Sequence, residues 1–179
     1  MTRLPGDPEP DVEQMIRVDQ AGEYGAARIY AGQLAVMGSR HPVAGEIARM
    51  KHQEQRHLDT FDRLIVERGV RPTLLSPIWD AAGFALGAAT ALMGPRAAMA
   101  CTAAVETEID RHYGEQLEEL EAAEREPELA AHIADFREEE AEHRDTAIAH
   151  GAEDTPGYPL MSAVIRLGCR AAIAVTKRV

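Results

Sequence analysis

Aromatic residues are scarce in this chain: three phenylalanines, four tyrosines and one tryptophan make up 4% of its 179 residues, against 45% apolar residues overall. Much of that apolar share is alanine, leucine, isoleucine and methionine, which lose little on entering a helix. The expected fold class is therefore all-α. Cysteine is almost missing as well. Cys101 and Cys169 lie far apart and form no C-x-x-C pair, which leaves no basis for a cysteine-rich metal module. Each sits in an apolar, helix-like run and reads as a buried, unpaired thiol in a reducing compartment.

Positive charge is in short supply too. Nineteen Lys and Arg face thirty Asp and Glu, a net charge of -11, which argues against a nucleic-acid backbone as partner. The deficit is uneven: from Tyr158 to Val179 there are Arg166, Arg170, Lys177 and Arg178 and no acid, so this segment is +4 and the remainder -15. The opening "MTRLPGDPEPDVEQM" has neither the apolar core of a secretory signal nor the arginine-rich pattern of an organelle presequence, so a cytosolic or cytosol-facing bacterial protein is expected. A long hydrophobic run is lacking. The stretch "AAGFALGAATALMG", Ala81 to Gly94, is uncharged over fourteen residues, short of the roughly 20 needed to span a bilayer.

What is present is clear helix punctuation, in a length suited to one domain over residues 1–179. Asp11 followed by Gln14 has the form of a capping box, and the first helix runs from there to about Met37, before "GSRHP". Pro42 opens a second that ends at Gly69; Pro77 opens a third, apolar one that stops at Gly94 and Pro95; a fourth runs to Glu126; Pro127 opens a fifth, closed by Gly151; a sixth follows from Leu160. Residues 1–10 read as a flexible N-terminus, 77–94 as an apolar interfacial helix, and 158–179 as a basic amphipathic helix. The first, second, fourth and fifth helices have four-helix-bundle length. With four long helices closing the core, the third has little left to bury, and lying in a membrane surface is its expected role. Arg166, Arg170 and Lys177 form a stripe expected to meet anionic lipid.

Six residues carry the chemistry. "EQRH" places Glu54 and His57 at i and i+3 in the second helix, and "EAEH" places Glu140 and His143 likewise in the fifth; such pairs point the same way. The first helix supplies Glu23 and the fourth Glu106. Glu23 and Glu106 are 83 residues apart and Glu54 and Glu140 are 86 apart, the mark of a duplicated helix pair. Four carboxylates buried together repel one another, whereas two divalent irons would neutralise them. Each iron would take one terminal glutamate and one histidine, with Glu54 and Glu140 bridging; this donor set suits iron or manganese better than zinc. "REEEAEH" also offers Glu138, Glu139 and Glu142. The parallel with Glu54 favours Glu140, although Glu139, four residues before His143, has the spacing to face inward; the others read as solvated. Gly22 and Gly25 beside Glu23 weaken the helix and are expected to clear space, either for a substrate ring or for close helix packing. His112 and Tyr113 are candidates for a proton network.

"RVDQAGEYGAARIYAGQ", "HQEQRHLDTF", "GFALGAATALMGPRAAMACTAAVE" running into "HYGEQL", "FREEEAEH" and "GCRAAI" together resemble the ferritin-like di-iron demethoxyubiquinone hydroxylases of ubiquinone biosynthesis, over nearly all of the chain from Ile16. The resemblance implies a ferritin-like bundle and a monooxygenase that hydroxylates the ring of 2-polyprenyl-3-methyl-6-methoxy-1,4-benzoquinol with O2, the penultimate step to ubiquinol. It also implies two irons on Glu23, Glu54, His57, Glu106, Glu140 and His143, and NADH as reductant although no GxGxxG motif is present. The setting it implies is peripheral attachment at the cytoplasmic face of the bacterial inner membrane, among other ubiquinone-biosynthesis proteins. A ferritin-type iron store would share the glutamates but lack the uncharged third helix. A rubrerythrin-like peroxidase would add a cysteine-rich module, and a non-catalytic bundle would have no need of paired E-x-x-H motifs.

Overall fold

The computed structural model describes residues 9–179; the N-terminal segment read as flexible lies outside them except for Glu9 and Pro10. All regular structure among the described residues is helical: α1 (Val12–Met37), α2 (Ala44–Arg68), α3 (Ser76–Leu92), α4 (Pro95–Ala123), α5 (Pro127–Ala149), a short 3-10 turn (Ala152–Asp154) and α6 (Tyr158–Thr176). The prolines and glycines fall where their backbone chemistry puts them. Pro77, Pro95 and Pro127 sit at helix starts, where a missing N–H costs nothing, and Gly69 closes α2 in the left-handed region at φ 64°. Several ends differ from expectation: α2 starts at Ala44 rather than Pro42, and α6 at Tyr158 rather than Leu160. α4 stops at Ala123 rather than Glu126, because Glu124 and Glu126 both take positive φ in the turn to α5. Only half of the capping box forms: Asp11 accepts the Gln14 N–H (3.0 Å), while the Gln14 side chain donates instead to the Lys177 carbonyl beyond α6 (3.2 Å).

α1 with α2 and α4 with α5 form the two helix pairs of a four-helix bundle. Two apolar clusters fill it. One joins Ile16, Phe61, Tyr113, Leu120, Leu129, Ile133 and Phe136; the other joins Tyr30, Ile47, Met50, Met99, Ala103 and Ala147. The acidic residues of the candidate site lie between them.

The two added helices dock on the bundle, α3 on α1 and α6 on α4. α3 does find something to bury: it lies on α1, backbone against backbone. A Cβ built on Gly87 would stand 1.9 Å from the Ile29 carbonyl oxygen, one on Gly32 2.2 Å from that of Phe84, and one on Gly83 2.9 Å from that of Gly25. Helices this close make Cα–H to carbonyl contacts, as small-residue pairs do in membranes. Asp80 pins the same interface by accepting from the Tyr24 hydroxyl (2.8 Å) and pairing with Arg28 (2.6 Å). α3 leaves Ile78 and, at its C-terminal end, Leu92 exposed, with Met93 just beyond.

α6 lies on α4, and two of its bases reach back to a carboxylate there while keeping 37% and 47% of their side-chain surface open. Glu108, fully buried, receives Arg166 (2.7 Å), Arg170 (3.7 Å) and, from its own helix, Arg111 (2.9 Å). Burial would raise this carboxyl's pKa, but Arg166 and Arg111 hold it below the usual carboxylate range. The outward face of α6 is then Leu160, Val164 and Leu167, at 60 to 73% exposure. Of the stripe expected to meet lipid, Arg166 and Arg170 also pair with Glu108 on α4, and the apolar residues lie exposed beside it. By length and composition α6 is also the one described helix that could cross a bilayer, but withdrawing it would take Arg166 and Arg170 away from Glu108.

Candidate metal centre

Glu23, Glu54, His57, Glu106, Glu140 and His143 are each at most 1% exposed, and they converge from α1, α2, α4 and α5. Their donor atoms form two overlapping groups, Glu23, Glu54, His57 and Glu140, and Glu54, Glu106, Glu140 and His143, within each of which every donor lies within 4.8 Å of the others. Glu54 and Glu140 belong to both. His57 Nδ1 stands 3.1 Å from Glu140 and 3.3 Å from Glu23, and His143 Nδ1 stands 3.1 Å from Glu54 and 3.3 Å from Glu140.

The donor atoms lack protein partners in a way that buried polar atoms rarely do. Both carboxylate oxygens of Glu54 and of Glu140, one each of Glu23 and Glu106, and Nδ1 of both histidines are buried outside hydrogen-bond geometry. Burial, then neighbouring Glu140, drives Glu54 and Glu106 far above the usual carboxylate range. Burial also acts on Glu140 and His57, but there mutual contacts win: the two imidazoles hold Glu140 below its ordinary value, and His57, against burial, is pushed up to about 11 by Glu140 and Glu23. A cluster that must retain protons when alone, and whose orphaned atoms face one another, fits two divalent cations sharing Glu54 and Glu140.

The family model described as ubiquinone biosynthesis protein COQ7 matches residues 10–176. The chain belongs to the COQ7 family. It is 52% identical over 179 residues to a 3-demethoxyubiquinol 3-hydroxylase of Rhodospirillum rubrum, covering 99% of this chain and 84% of that one. It is 53% identical over 169 residues to the NADPH-dependent 3-demethoxyubiquinone 3-hydroxylase, mitochondrial, of Rattus norvegicus (93% and 77% covered). With the 5-demethoxyubiquinone hydroxylase, mitochondrial, of Saccharomyces cerevisiae the identity is 43% over 184 residues (94% and 78%).

In this COQ7 family member the polar partners of the cluster repeat the duplication. Tyr113 donates to Glu23, and Tyr30, its counterpart 83 residues earlier, donates to Glu106 (2.5 Å). Each tyrosine comes from the opposite helix, so α1 and α4 each orient the other's glutamate. Burial raises both phenols well above their ordinary value, so both stay donors. The histidines are held in the same crossed way. His57 Nε2–H donates to Glu139 (3.0 Å) and His143 Nε2–H to Gln53 (3.1 Å), while Gln53 donates to Glu139 (3.2 Å). These outer bonds turn each Nδ1 toward the cluster, the usual way a ligating imidazole is fixed.

Glu139 is therefore neither a cluster carboxylate nor merely solvated: it braces His57, and Arg56 in turn braces Glu139. Glu142 pairs with Arg49 (3.2 Å). Gln53 and Tyr30 escaped the sequence reading as partners. The signal for both was the repeat itself, since Gln53 and Glu139 are 86 apart like the cluster residues beside them. His112 is buried and meets Asp19 and Gln116 rather than the cluster. At Gly22 and Gly25 an added Cβ would meet nothing within 4 Å, so the close packing of α1 belongs to Gly32 and to the Gly25 carbonyl, not to missing side chains at these two positions.

Proposed function

We propose that this chain hydroxylates the ring of 2-polyprenyl-3-methyl-6-methoxy-1,4-benzoquinol, the penultimate step to ubiquinol, using O2 and two irons held by Glu23, Glu54, His57, Glu106, Glu140 and His143. The observation that carries it is the pair of buried four-donor groups sharing Glu54 and Glu140, in a chain of the COQ7 family. The irons, when bound, would supply the redox and O2 chemistry. The protein's part is to keep their donors in place and dry. Glu54 and Glu140 hold the two positions together, Tyr113 and Tyr30 fix the terminal glutamates, and Glu139 and Gln53 fix the imidazoles. The reductant is a reduced nicotinamide. NADH remains the expectation, although the rat relative's name specifies NADPH.

Two things favour enzyme over iron store: the family, and the outward apolar residues of α3 and α6, which suit a protein whose polyprenyl substrate dissolves in a bilayer. Complementation of a bacterial strain blocked at this hydroxylation tests the reaction. Accumulated demethoxyubiquinone should convert to ubiquinone, read by mass spectrometry of extracted quinones; its persistence would sink the proposal.

The cytoplasmic face of the bacterial inner membrane remains the proposed location, with other ubiquinone-biosynthesis proteins as possible neighbours. Attachment should rest on apolar contact, since Arg166 and Arg170 are committed to Glu108. Liposomes of zwitterionic lipid should therefore bind the protein about as well as anionic ones. Binding should survive salt that shortens the screening length to about 3 Å, and a Val164→Glu, Leu167→Glu variant should lose it in a co-sedimentation assay. Strict dependence on anionic lipid would contradict this.

A further inference from the structure

The repeat that builds the site is not exact. Gln33 and Gln116 are a related pair, 83 residues apart; Gln33 donates to Thr102 (3.3 Å), and Gln116 donates to Asp19 (2.9 Å). Thr102 and Asp19 are themselves 83 apart, as are Ile29 and His112. One half of the bundle thus builds this position from threonine and isoleucine, and the other from a carboxylate and an imidazole.

Burying an acid and a base where a hydroxyl and an apolar side chain suffice costs stability. Asp19 is 2% exposed and its Oδ2 has no partner; burial, partly countered by His112, raises its pKa. His112 Nε2 lies 3.4 Å from Asp19 Oδ1 and accepts from Gln116 at 3.1 Å. For Nε2 to take a proton, the Gln116 N–H must give up that bond and keep the one it makes to Asp19 (2.9 Å); the new N–H then has the Asp19 carboxylate as its acceptor. His112 and Gln116 also line a cleft of about 130 Å³ open to the surface between α1, α4 and the end of α6. The charged groups of that cleft are Asp11, Glu115, Glu119 and Lys177. On the inner side, Asp19 lies one helical turn before Glu23 and feels its charge, and Tyr113 lies next to His112 in sequence.

We propose that Asp19 and His112 form a proton relay from this cleft to the buried site, with Gln116 positioning both. The proposal rests on the hydroxylase reading. In that reaction a ring C–H becomes C–OH, the second oxygen atom leaves as water, and two electrons from the reduced nicotinamide and two protons are consumed. The protons must enter an interior whose acidic residues are closed to solvent. His112 takes a proton from water in the cleft and passes it to Asp19, which lies one helical turn from Glu23 and has a carboxylate oxygen without a partner.

Three measurements on the iron-loaded protein test this. Asp19→Asn and His112→Gly should each lower kcat about 100-fold, with KM and bound iron unchanged. Added imidazole should restore His112→Gly at least about tenfold by filling the vacated place with the same acid. Apart from turnover, a group whose pKa is raised on folding withdraws stability as pH climbs through that value, so Asp19→Asn should gain in melting temperature over wild type as pH rises above the ordinary carboxylate range. Near-wild-type turnover of Asp19→Asn overturns the relay, as does a His112→Gly defect that imidazole leaves untouched. A wild type inactive in the same assay overturns the hydroxylase reading itself and takes the relay with it.

Discussion

Glu54→Ala should reduce hydroxylation to background and cost the protein metal at both positions, measured as iron per chain and as product formed in a single turnover. The reason is topological: Glu54 and Glu140 are the donors common to both groups, whereas Glu23, His57, Glu106 and His143 each serve one. Glu23→Ala should accordingly leave about one metal per chain. His143→Ala is expected to abolish turnover as well, with helix content unchanged by circular dichroism, because the apolar clusters on either side of the site do not depend on it. The same donors make metal removal pH-dependent in a definite direction. Burial raises Glu54 and Glu106 well above their unfolded values, so in metal-free protein the stability they contribute is full below the unfolded carboxylate pKa and is lost as pH rises through the folded one. Metal binding requires the deprotonated forms and strengthens with pH. The gap in melting temperature between iron-loaded and metal-free protein should widen from acid to neutral pH. A gap that stays constant or narrows would show that these carboxylates are not the ligands.

The cluster was legible because its spacing is local: i, i+3 within a helix, and two helix pairs with the same offset. Helix ends were legible for the same reason, as proline and glycine act on their own backbone. What sequence does not carry is which residue on one helix meets which on another. The Tyr113 to Glu23 and Tyr30 to Glu106 bonds cross between α1 and α4, and nothing within either helix announces them, although both tyrosines stand seven residues after a glutamate. The basic stripe of α6 shows the limit most plainly. Arg166 and Arg170 were visible as charges, but their pairing with Glu108, one acid among many on α4, was not. For α3 the missing quantity was distance. An uncharged helix reads alike whether it floats in an interface or lies on a neighbour's backbone. Gly83 and Gly87, four residues apart, were the available sign of close approach.

Gly87→Ala tests that approach and should be among the most damaging single-methyl changes in the protein. The added Cβ would lie 1.9 Å from the Ile29 carbonyl oxygen and 2.8 Å from its carbon, and both are backbone atoms in the middle of α1, which cannot swing aside as a side-chain tip can. The helices must separate by roughly 1 Å or more, loosening Asp80 from Tyr24 and Arg28 along the same interface. Overpacking of this kind costs about 1–3 kcal/mol, which for a chain of this size lowers the melting temperature by about 3–10 °C. Ile29 is next to Tyr30, which holds Glu106, so turnover should fall along with stability. Gly22→Ala is the matched control. It adds the same methyl group to the same helix, where nothing lies within 4 Å, and relief of glycine's helix penalty should stabilise the protein by about 0.5–1 kcal/mol. Equal effects from the two substitutions would mean that α3 is not seated on α1 through its glycines; opposite signs would establish that it is.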